Sequence, residues 1–368
     1  MKIGILTQPL YTNYGGLLQA YALQTVLKRM GHEVWTEDRR TFPLSFKYFL
    51  KCIIGPFIGR YYPTKKQYSI ISQHTRRFVE ENIRVTDPVV TNTKEIFRKY
   101  QIDAYIVGSD QVWRPRYSPC ITNYFLDFTK DSIVKRIAYS ASFGVEEWEF
   151  TPEQTQVCST LLKRFDAVSV REDSGILLCK KYLDVDAVCL VDPTMLLEKD
   201  DYIQLVEKDS TQPSSGKLLV YVLDQTEEKQ RIIRKVSENL SVEPFFVGVK
   251  KQFEKVGMKK INECIYPPVT AWLQGFMEAD YVLTDSFHGT VFALIFNKPF
   301  IVIGNEIRGM GRFTSLLRLF NLENRIVTSC EEVNADLINR RIDFMKVNEI
   351  QKIERKKAFA FLYNSLKK

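Results

Sequence analysis

The stretch KIGILTQPLYTNYGGLLQAYALQTVLKRMGHEVWT, residues 2–36, decides the fold class. Ile3 to Thr7 has the short apolar run of a buried strand. Leu17 to Met30 has apolar residues at helical spacing, and Gly31 follows as a helix stop. A second strand is predicted at Val34 to Thr36, so the stretch forms one β-loop-α-β unit. Such units build a parallel sheet, and we therefore predict an α/β protein.

The same alternation of strand and helix runs through both halves of the chain. A polar stretch without periodicity, residues 208–216, separates two series of short β-branched or aromatic runs. We predict two Rossmann-like domains with parallel sheets, residues 1–200 and 201–345, that face one another across a cleft. A charged amphipathic helix in residues 346–368 is expected to pack back across the N-terminal domain. The predicted further strands are residues 104–107, 137–140, 167–170, 188–191, 218–222, 245–249, 281–284 and 300–303.

Composition narrows the functional class. The 368 residues are 45% hydrophobic and 26% charged, as in ordinary globular proteins. The net charge of +8 favours anionic partners, but the basic residues are scattered, so no nucleic-acid partner is expected. Seven cysteines without a Cys-x-x-Cys pair predict free thiols. The sequence shows no convincing cluster of metal ligands, so no metal site is expected. With no apolar run near 18 residues, we expect a cytoplasmic protein.

One segment, residues 44–68, does not fit the alternation of strands and helices. It interleaves large apolar and aromatic residues with basic ones and is too short to span a bilayer. Buried helix packing is one interpretation. The other is an interfacial segment that makes peripheral contact with an anionic membrane at its inner face. The basic residues are Lys47, Lys51, Arg60, Lys65 and Lys66.

Two polar segments follow the first strands of the N-terminal half. Asn13, Gly15 and Gly16 precede the first predicted helix, where small residues and free helix N–H groups suit a phosphate or carboxylate. The alternative is a simple strand-to-helix turn. Three further site candidates follow residues 104–107 at the edge where open α/β sheets bind ligands, although the aspartate among them could instead cap the next helix. These candidates are Ser109, Asp110 and Gln111.

Two later strands of the same half also end in polar residues. Ser140 and Ser142 suit hydrogen bonds to a sugar or phosphate, and helix capping explains them nearly as well. Arg171 ends the strand 167–170, where its guanidinium matches carboxylate or phosphate geometry. The alternative for Arg171 is an ordinary salt bridge with Glu172 or Asp173.

The strongest local signal lies in the second half, at residues 280–290. A buried strand there ends in a carboxylate, a hydroxyl and an imidazole, from Asp285, Ser286 and His288. His288 is the best candidate for a general acid or base. Downstream, a glycine-rich loop carries Arg308 and Arg312, which suit a lid over an anionic group, or an ordinary surface loop.

Six segments in this order resemble the polysaccharide pyruvyltransferase family over nearly the whole chain, residues 1 to about 330. Each motif alone is weak, and their order makes the resemblance specific. The segments are Asn13-Tyr14-Gly15-Gly16, Gly108-Ser109-Asp110-Gln111-Val112-Trp113, Tyr139-Ser140-Ala141-Ser142-Phe143-Gly144, Arg171-Glu172, Asp192-Pro193-Thr194 and Ser286-Phe287-His288-Gly289.

The resemblance implies a fold like the GT-B glycosyltransferases and an enzyme without a cofactor. Such an enzyme transfers pyruvate from phosphoenolpyruvate to two hydroxyls of a sugar in a surface polysaccharide precursor, and forms a cyclic ketal. The acceptor would be a sugar or a lipid-linked oligosaccharide. By motif, Arg171 would hold the donor, His288 would act as acid or stabilise the departing phosphate, and Asp110 would be the base.

The chain departs from the family at one donor-binding position. Characterised members carry Arg-Leu-His where this chain has Ser286-Phe287-His288, so one cation is missing. Either Arg308 or Arg312 supplies that charge, or the donor is not phosphoenolpyruvate. A glycosyltransferase that uses a nucleotide sugar, or an inert sugar-binding protein on the same scaffold, therefore stays open.

Overall fold

The computed structural model describes residues 1–39, 46–89, 93–118, 120–129, 132–209, 216–305 and 309–367. The described strands form two sheets, one of six strands and one of five, and every described pairing is parallel. The predicted α/β class with two parallel sheets is therefore confirmed. The strands are β1 Lys2–Leu6, β2 Glu33–Thr36, β3 Ala104–Val107, β4 Lys135–Ala141, β5 Ala167–Val170, β6 Val188–Cys189, β7 Leu218–Tyr221, β8 Pro244–Phe246, β9 Tyr281–Thr284, β10 Phe300–Ile303 and β11 Ile326–Val327.

Helices connect the strands and cover both faces of each sheet. Several begin at a side-chain cap, as α6 does at Thr151, whose hydroxyl accepts from the amide of Gln154. The described α-helices are α1 Tyr14–Arg29, α2 Phe46–Ile54, α3 Lys65–Ile71, α4 Gln73–Asn82, α5 Thr93–Tyr100, α6 Pro152–Leu162, α7 Asp173–Leu178, α8 Lys199–Lys208, α9 Glu227–Leu240, α10 Phe253–Val256, α11 Val269–Glu278, α12 Phe287–Ile295, α13 Gly311–Leu319, α14 Ala335–Asn339 and α15 Phe344–Leu366.

The two sheets share one topology. The first has the order β2-β1-β3-β4-β5-β6, and the second has the order β11-β10-β9-β7-β8. Listed from its other edge, the second sheet has the order β8-β7-β9-β10-β11. If β7 is counted as its first strand, this order is 2-1-3-4-5, as in the first five strands of the N-terminal sheet. In each sheet the second strand is added on one side of the first strand and the third on the other. The strand order therefore reverses between β1 and β3, and between β7 and β9. Open α/β sheets bind ligands beyond the carboxyl ends of strands at such a point.

Helix α1 begins earlier than its apolar periodicity predicts. Its first residue is Tyr14 rather than Leu17, so Gly15 and Gly16 lie in the first turn of the helix and not in a loop. All three residues are buried. Periodicity misses this turn because its glycines present no side chain to a core. Gly15 is instead covered by His288 of the second domain.

The two sheets pack through a shared apolar core that includes residues from both halves of the chain. The ring of Tyr14 stacks on Trp272 of α11 with centroids 5.6 Å apart, and its hydroxyl donates to the carbonyl of Pro267 at 3.0 Å. Helix α1 is thus fixed against the second domain beside its own N-terminus.

Helix α15 contacts both domains. Its Arg355 donates to the carbonyl oxygens of Met195 and Leu197, and Lys135 of β4 donates to the carbonyl of Ser365. Gln351 donates to the carbonyl of Leu294 in α12. The helix therefore has contacts with the N-terminal half of the chain and with α12 in the second half. The domain limits at 200 and 345 stay predictions, and residues 210–215 of the predicted linker lie outside the described residues.

Residues 46–71 form a helical hairpin of α2, a short 3-10 turn at Gly55–Ile58 and α3. The first residues of the unusual segment, 44 and 45, lie outside the described residues. Within the hairpin, Phe57 and Ile58 are exposed rather than buried in a core. Among the described residues, no helix is long and apolar enough to cross a membrane.

Candidate active site in the interdomain cleft

A cleft of about 1370 Å³ lies between the carboxyl ends of the two sheets. Both reversal points open into it, since its walls include the segments that follow β1, β3, β7 and β9. This is the place where the shared topology of the two sheets predicts a ligand. Predicted site residues that line it are Asn13, Asp110, Gln111, Asp285, Ser286, His288 and Arg312.

Two helix N-termini meet in this cleft. Asn13 is the N-cap residue of α1, and Ser286 caps α12 by accepting from the amide of Gly289 at 3.3 Å. A Cβ atom on Gly15 would lie 2.1 Å from Nδ1 of His288, so only glycine lets α1 approach the imidazole this closely. Helix N-termini present N–H groups and partial positive charge, and their convergence favours an anion.

Asp110 stands at the end of β3 in the left-handed region, with φ of 68°. Its carbonyl accepts from the amides of Ser142 and Val112, and the amide of Trp113 donates to the carbonyl of Ser142. No helix begins here, so Asp110 is not a helix cap. The backbone instead turns its carboxylate toward the cleft, where the side-chain Nδ2 of Asn13 donates to Oδ2 at 3.5 Å.

Arg171 lies behind Asp110 and joins two carboxylates. Its Nη2 is 3.2 Å from Oδ1 of Asp110, and its Nη1 is 3.1 Å from Oδ2 of Asp192. The guanidinium also lies over the ring of Phe287, 4.5 Å from its centroid. Its side chain is fully buried and does not line the large cleft. The arginine is therefore placed to hold Asp110 rather than to touch a ligand there.

The charges of this cluster set each other's ionisation. Burial by itself raises the pKa of Asp110, but the positive charges of Arg171, His288 and Arg312 outweigh it and hold that pKa below its ordinary value. Burial likewise lowers the pKa of Arg171, and the facing carboxylates of Asp110 and Asp192 raise it overall. Asp110 is therefore ionised at neutral pH.

His288 faces Asp192, which is fully buried. Nε2 of His288 is 3.6 Å from Oδ2 of Asp192, just beyond hydrogen-bond distance. The same oxygen accepts from Oγ of Ser109 at 3.0 Å, and the other carboxylate oxygen accepts from the amide and the hydroxyl of Thr194. Burial raises the pKa of Asp192, but His288, Arg171 and Thr194 together lower it well below its ordinary range. A stable carboxylate therefore stands behind the imidazole.

Arg312 reaches the same cleft from the first turn of α13. Gly309 and Gly311 before it press on the N-terminal domain, since Cβ atoms there would lie 1.8 Å from the carbonyl oxygen of Gly144 and 2.5 Å from Oε1 of Glu146. This part of the predicted lid therefore bridges the domains. Burial, with the nearby Arg171 charge, lowers the pKa of Arg312 to about 10, so it stays cationic at neutral pH. Arg308 lies outside the described residues.

Asp285 has a different environment from Asp110. Its carboxylate accepts from Nζ of Lys229 at 2.6 Å, from the amide of Leu223 at 2.7 Å and from the amide of Asp224 at 3.3 Å. The side-chain Nδ2 of Asn305 adds a longer contact at 3.5 Å. Both oxygens are thus engaged by the protein. Leu223 and Asp224 belong to the loop after β7, and Lys229 belongs to α9. Asp285 therefore links that loop to the helix.

Ser140 and Ser142 are both fully buried below the cleft. The hydroxyl of Ser140 donates to the carbonyl of Leu190, and that of Ser142 donates to Glu172 at 2.9 Å. Oε1 of Glu172 also accepts from the amides of Phe143 and Gly144. The serines therefore hold loops in place, and a direct bond from them to a sugar does not fit their burial.

Sequence reasoning left two central residues out of its site set. Asp192 joins Arg171, Ser109 and His288, and Glu172 shapes the loop after β4. Both sit in segments that carried the family resemblance, and the signal available for Asp192 was its place before Pro193 at the end of a strand region. Among the described residues, no group of three or more His, Cys, Asp or Glu side chains could hold a metal ion.

A family model described as polysaccharide pyruvyl transferase matches residues 13–307, which is most of the chain. The chain belongs to this family. The match confirms the resemblance drawn from the six segments, and it supports a transferase that acts in the pyruvylation of polysaccharides.

Solved structures similar to this pyruvyl transferase family member share its fold. A UDP-N-acetylglucosamine 2-epimerase from Rickettsia bellii is 12% identical, with 99% of this chain and 96% of that one covered and a TM-score of 0.52. A putative UDP-N-acetylglucosamine 2-epimerase from Listeria monocytogenes is 11% identical, with 97% and 90% covered and a TM-score of 0.52. These likenesses confirm the predicted GT-B-like arrangement. No curated protein sequence matches the chain.

Proposed function

We propose that this protein transfers pyruvate from phosphoenolpyruvate to two hydroxyls of a sugar in a surface polysaccharide precursor, and that the product is a cyclic ketal. Family membership supports the pyruvyl group and the polysaccharide. The observation that carries the donor assignment is the meeting of two helix N-termini, His288 and Arg312 in one cleft, opposite the carboxylate of Asp110.

The donor carries a phosphate and a carboxylate, and the cleft offers matching positive groups. The first turn of α1 supplies backbone N–H groups, and Arg312 supplies a fork-shaped cation. Arg312 lies near Phe287, with its guanidinium 5.9 Å from the ring centroid, so it can replace the arginine that Ser286 does not provide. The missing family cation is thus compensated from α13 in this proposal.

The reaction needs one acid and one base. His288 as imidazolium protonates the methylene carbon of the enol, and a sugar hydroxyl bonds to the central carbon while Asp110 takes its proton. The second hydroxyl then bonds to the same carbon, the carbon–oxygen bond to phosphate breaks, and the second proton leaves with the phosphate. One ketal and one inorganic phosphate result, so atoms and charges balance.

Arg171 and Asp192 act behind these two groups in the proposal. Arg171 keeps Asp110 ionised and oriented, and Asp192 stabilises the imidazolium of His288. Both are positioning residues here, which changes the direct donor contact first expected for Arg171. The physical reason is the complete burial of its guanidinium between two carboxylates.

Mass spectrometry of candidate glycans incubated with the protein and phosphoenolpyruvate tests the proposal. We expect a mass increment of pyruvate minus water, with one phosphate released for each ketal. His288→Gln is expected to lower turnover by about 100-fold or more, because it removes the acid. His74→Gln, on the partly exposed side of α4, serves as the matched control and keeps full turnover.

Calorimetry separates the alternatives. Binding of phosphoenolpyruvate without binding of nucleotide sugars supports the proposal. The reverse pattern would identify a glycosyltransferase, and binding of neither would indicate an inert protein on this scaffold.

A further inference from the structure

The helical hairpin of residues 46–71 carries an exposed apolar patch, made of Leu50, Ile53, Ile54, Phe57 and Ile58. Phe57 is 87% exposed and Ile58 is 67% exposed. The patch holds five of the fifteen large exposed apolar side chains found in the described residues, within nine consecutive positions. Single exposed apolar residues are ordinary, but a cluster of this kind marks an interaction surface.

The exposure of the patch comes from an ordered local structure. Leu50, Ile53 and Ile54 follow the spacing i, i+3 and i+4, which places them on one face of α2, and Phe57 and Ile58 follow in the 3-10 turn. On the opposite side Gly55 is buried, and a Cβ there would lie 2.3 Å from the carbonyl oxygen of Arg60. Tyr48 also donates to the carbonyl of Pro63 at 2.8 Å. The hairpin is therefore closed by its own contacts, with the apolar face left outside.

The charged residues of the segment that carries the patch are all basic. Between Asp38 and Glu80 the sequence contains no Asp or Glu, and it contains nine basic residues. Four of these are exposed and have no acidic partner among the described residues. The nine are Arg39, Arg40, Lys47, Lys51, Arg60, Lys65, Lys66, Arg76 and Arg77, and the four are Lys51, Arg60, Lys65 and Lys66.

The hairpin sits beside the mouth of the cleft. The amide of Tyr61 donates to the carbonyl of Glu254 in α10 at 2.9 Å, and the Tyr61 ring packs against Gly257. The segment that contains Glu254, residues 250–256, contributes Lys250, Lys251, Lys255 and Val256 to the cleft wall. A surface that covers the apolar patch would therefore lie next to the opening of the site.

We propose that the patch inserts into the surface of an anionic lipid bilayer and holds the cleft mouth next to it. Apolar side chains at the tip enter the interface, and the basic residues around them meet anionic headgroups. A soluble protein partner explains the apolar residues alone, whereas a bilayer explains both the apolar tip and the single sign of charge. A further step rests on the proposed function: a lipid-linked sugar acceptor would reach the cleft from this membrane.

Vesicle sedimentation of the full chain, without phosphoenolpyruvate, tests the docking. We expect the protein to sediment with phosphatidylcholine vesicles that contain phosphatidylglycerol, more weakly with phosphatidylcholine alone, and less as salt rises. Phe57→Ser with Ile58→Ser is expected to lower the partition coefficient by about 10-fold or more, because two exposed apolar side chains lose their burial in lipid. Lys65→Glu with Lys66→Glu is expected to abolish the preference for anionic vesicles.

Leu177→Ser is the matched control, since Leu177 is also an exposed apolar residue of the N-terminal domain but lies in α7, outside the patch. Its partition should equal that of the wild type. Equal sedimentation of the Phe57 and Ile58 double variant would overturn the proposal. The proposal would also be overturned if the wild type formed a stable dimer in sedimentation velocity and did not bind vesicles, and if the double variant were monomeric.

The outcome for docking is separate from the outcome for catalysis. Vesicle binding needs no donor, so a failure to turn over phosphoenolpyruvate leaves the docking result intact. If both proposals hold, the double variant loses turnover of a vesicle-borne acceptor and keeps turnover of the same sugar in soluble form.

Discussion

Asp110 and Asp285 both follow the third strand of their sheet, Asp110 three residues after the end of β3 and Asp285 immediately after β9. Each is paired with a cation, but the more exposed partner is the carboxylate in one pair and the cation in the other. In the N-terminal domain Arg171 is 0% exposed and Asp110 is 9% exposed, whereas in the second domain Asp285 is 0% exposed and Lys229 is 9% exposed. Both aspartates line the cleft. Asp285 accepts from Lys229 and two backbone amides. Asp110 instead accepts from Arg171 and, at 3.5 Å, from the side chain of Asn13.

The difference shows how one topology serves two tasks. A carboxylate held from behind by a buried cation stays ionised and free to take a proton. A carboxylate that accepts from a lysine and two backbone amides is instead used to fix a loop. Position in the fold therefore identifies the edge where a site forms, and the partners of each side chain decide whether it acts on a ligand.

The largest expected effect comes from removing the carboxylate that faces the cleft. Asp110→Asn is expected to lower kcat by about 100- to 10,000-fold, because the amide cannot take a proton from the acceptor hydroxyl. Phosphate release from phosphoenolpyruvate in the presence of an acceptor measures it. Asp184→Asn, at an exposed carboxylate of the same domain, is the control and should leave kcat unchanged. Full activity of the Asp110 variant would place the base elsewhere.

Removing the second carboxylate is expected to affect stability. Asp285→Ala leaves the mostly buried Lys229 without its partner, and loss of one member of a buried pair costs about 3–5 kcal/mol. Urea unfolding measures this cost. Asp280→Ala, at an exposed carboxylate just before β9, should cost less than about 1 kcal/mol. If the two variants were equally stable, Asp285 would have no structural role.

A smaller effect is expected in the acid dependence of stability. The positive charges around Asp110 hold its pKa below the ordinary value of 3.8 in the folded state, although burial alone would raise it. Its contribution to folding is therefore complete above that value and is lost as pH falls through the folded pKa. Urea unfolding between pH 7 and pH 3 should show the wild type losing more stability than Asp110→Asn. Parallel losses would contradict the charge cluster.

The smallest effect concerns the helix that carries His288. Ser286→Ala removes the N-cap of α12 and should lower the free energy of unfolding by about 1 kcal/mol. Thr226→Ala removes the N-cap of α9 and should lower the free energy of unfolding by a similar amount, at a residue that does not itself line the cleft. Only the Ser286 variant should also raise KM for phosphoenolpyruvate. A rise in KM from both variants would point to general destabilisation instead.

Much of the fold follows from local patterns. The strands at 104–107, 167–170, 281–284 and 300–303 lie where they were predicted, because short β-branched runs bounded by polar residues leave few other structures. The start of α1 was wrong by three residues. Its first turn holds Gly15, which faces His288, and a partner some 270 residues away gives no periodic signal.

The site shows the same division. Sequence order located the polar strand ends and, with them, His288, Asp110 and Arg312. It assigned Arg171 and the two serines to ligand contact, whereas the structure buries them beneath or behind the cleft. Asp285 lines the cleft, but its carboxylate is engaged by Lys229 and two backbone amides. Asp192 was overlooked as a site residue, because the importance of a buried carboxylate depends on which side chains converge on it.

The sequence by itself determined the α/β class, the two parallel sheets and the family, since strand and helix periods and ordered motifs are properties of neighbouring residues. Only the tertiary structure decided which partners engage the aspartates that follow β3 and β9, that Gly15 of α1 rests on His288, and that the apolar residues of 50–58 are exposed. Each of these depends on contacts between segments far apart in the chain, and burial and charge pairing are set by those contacts.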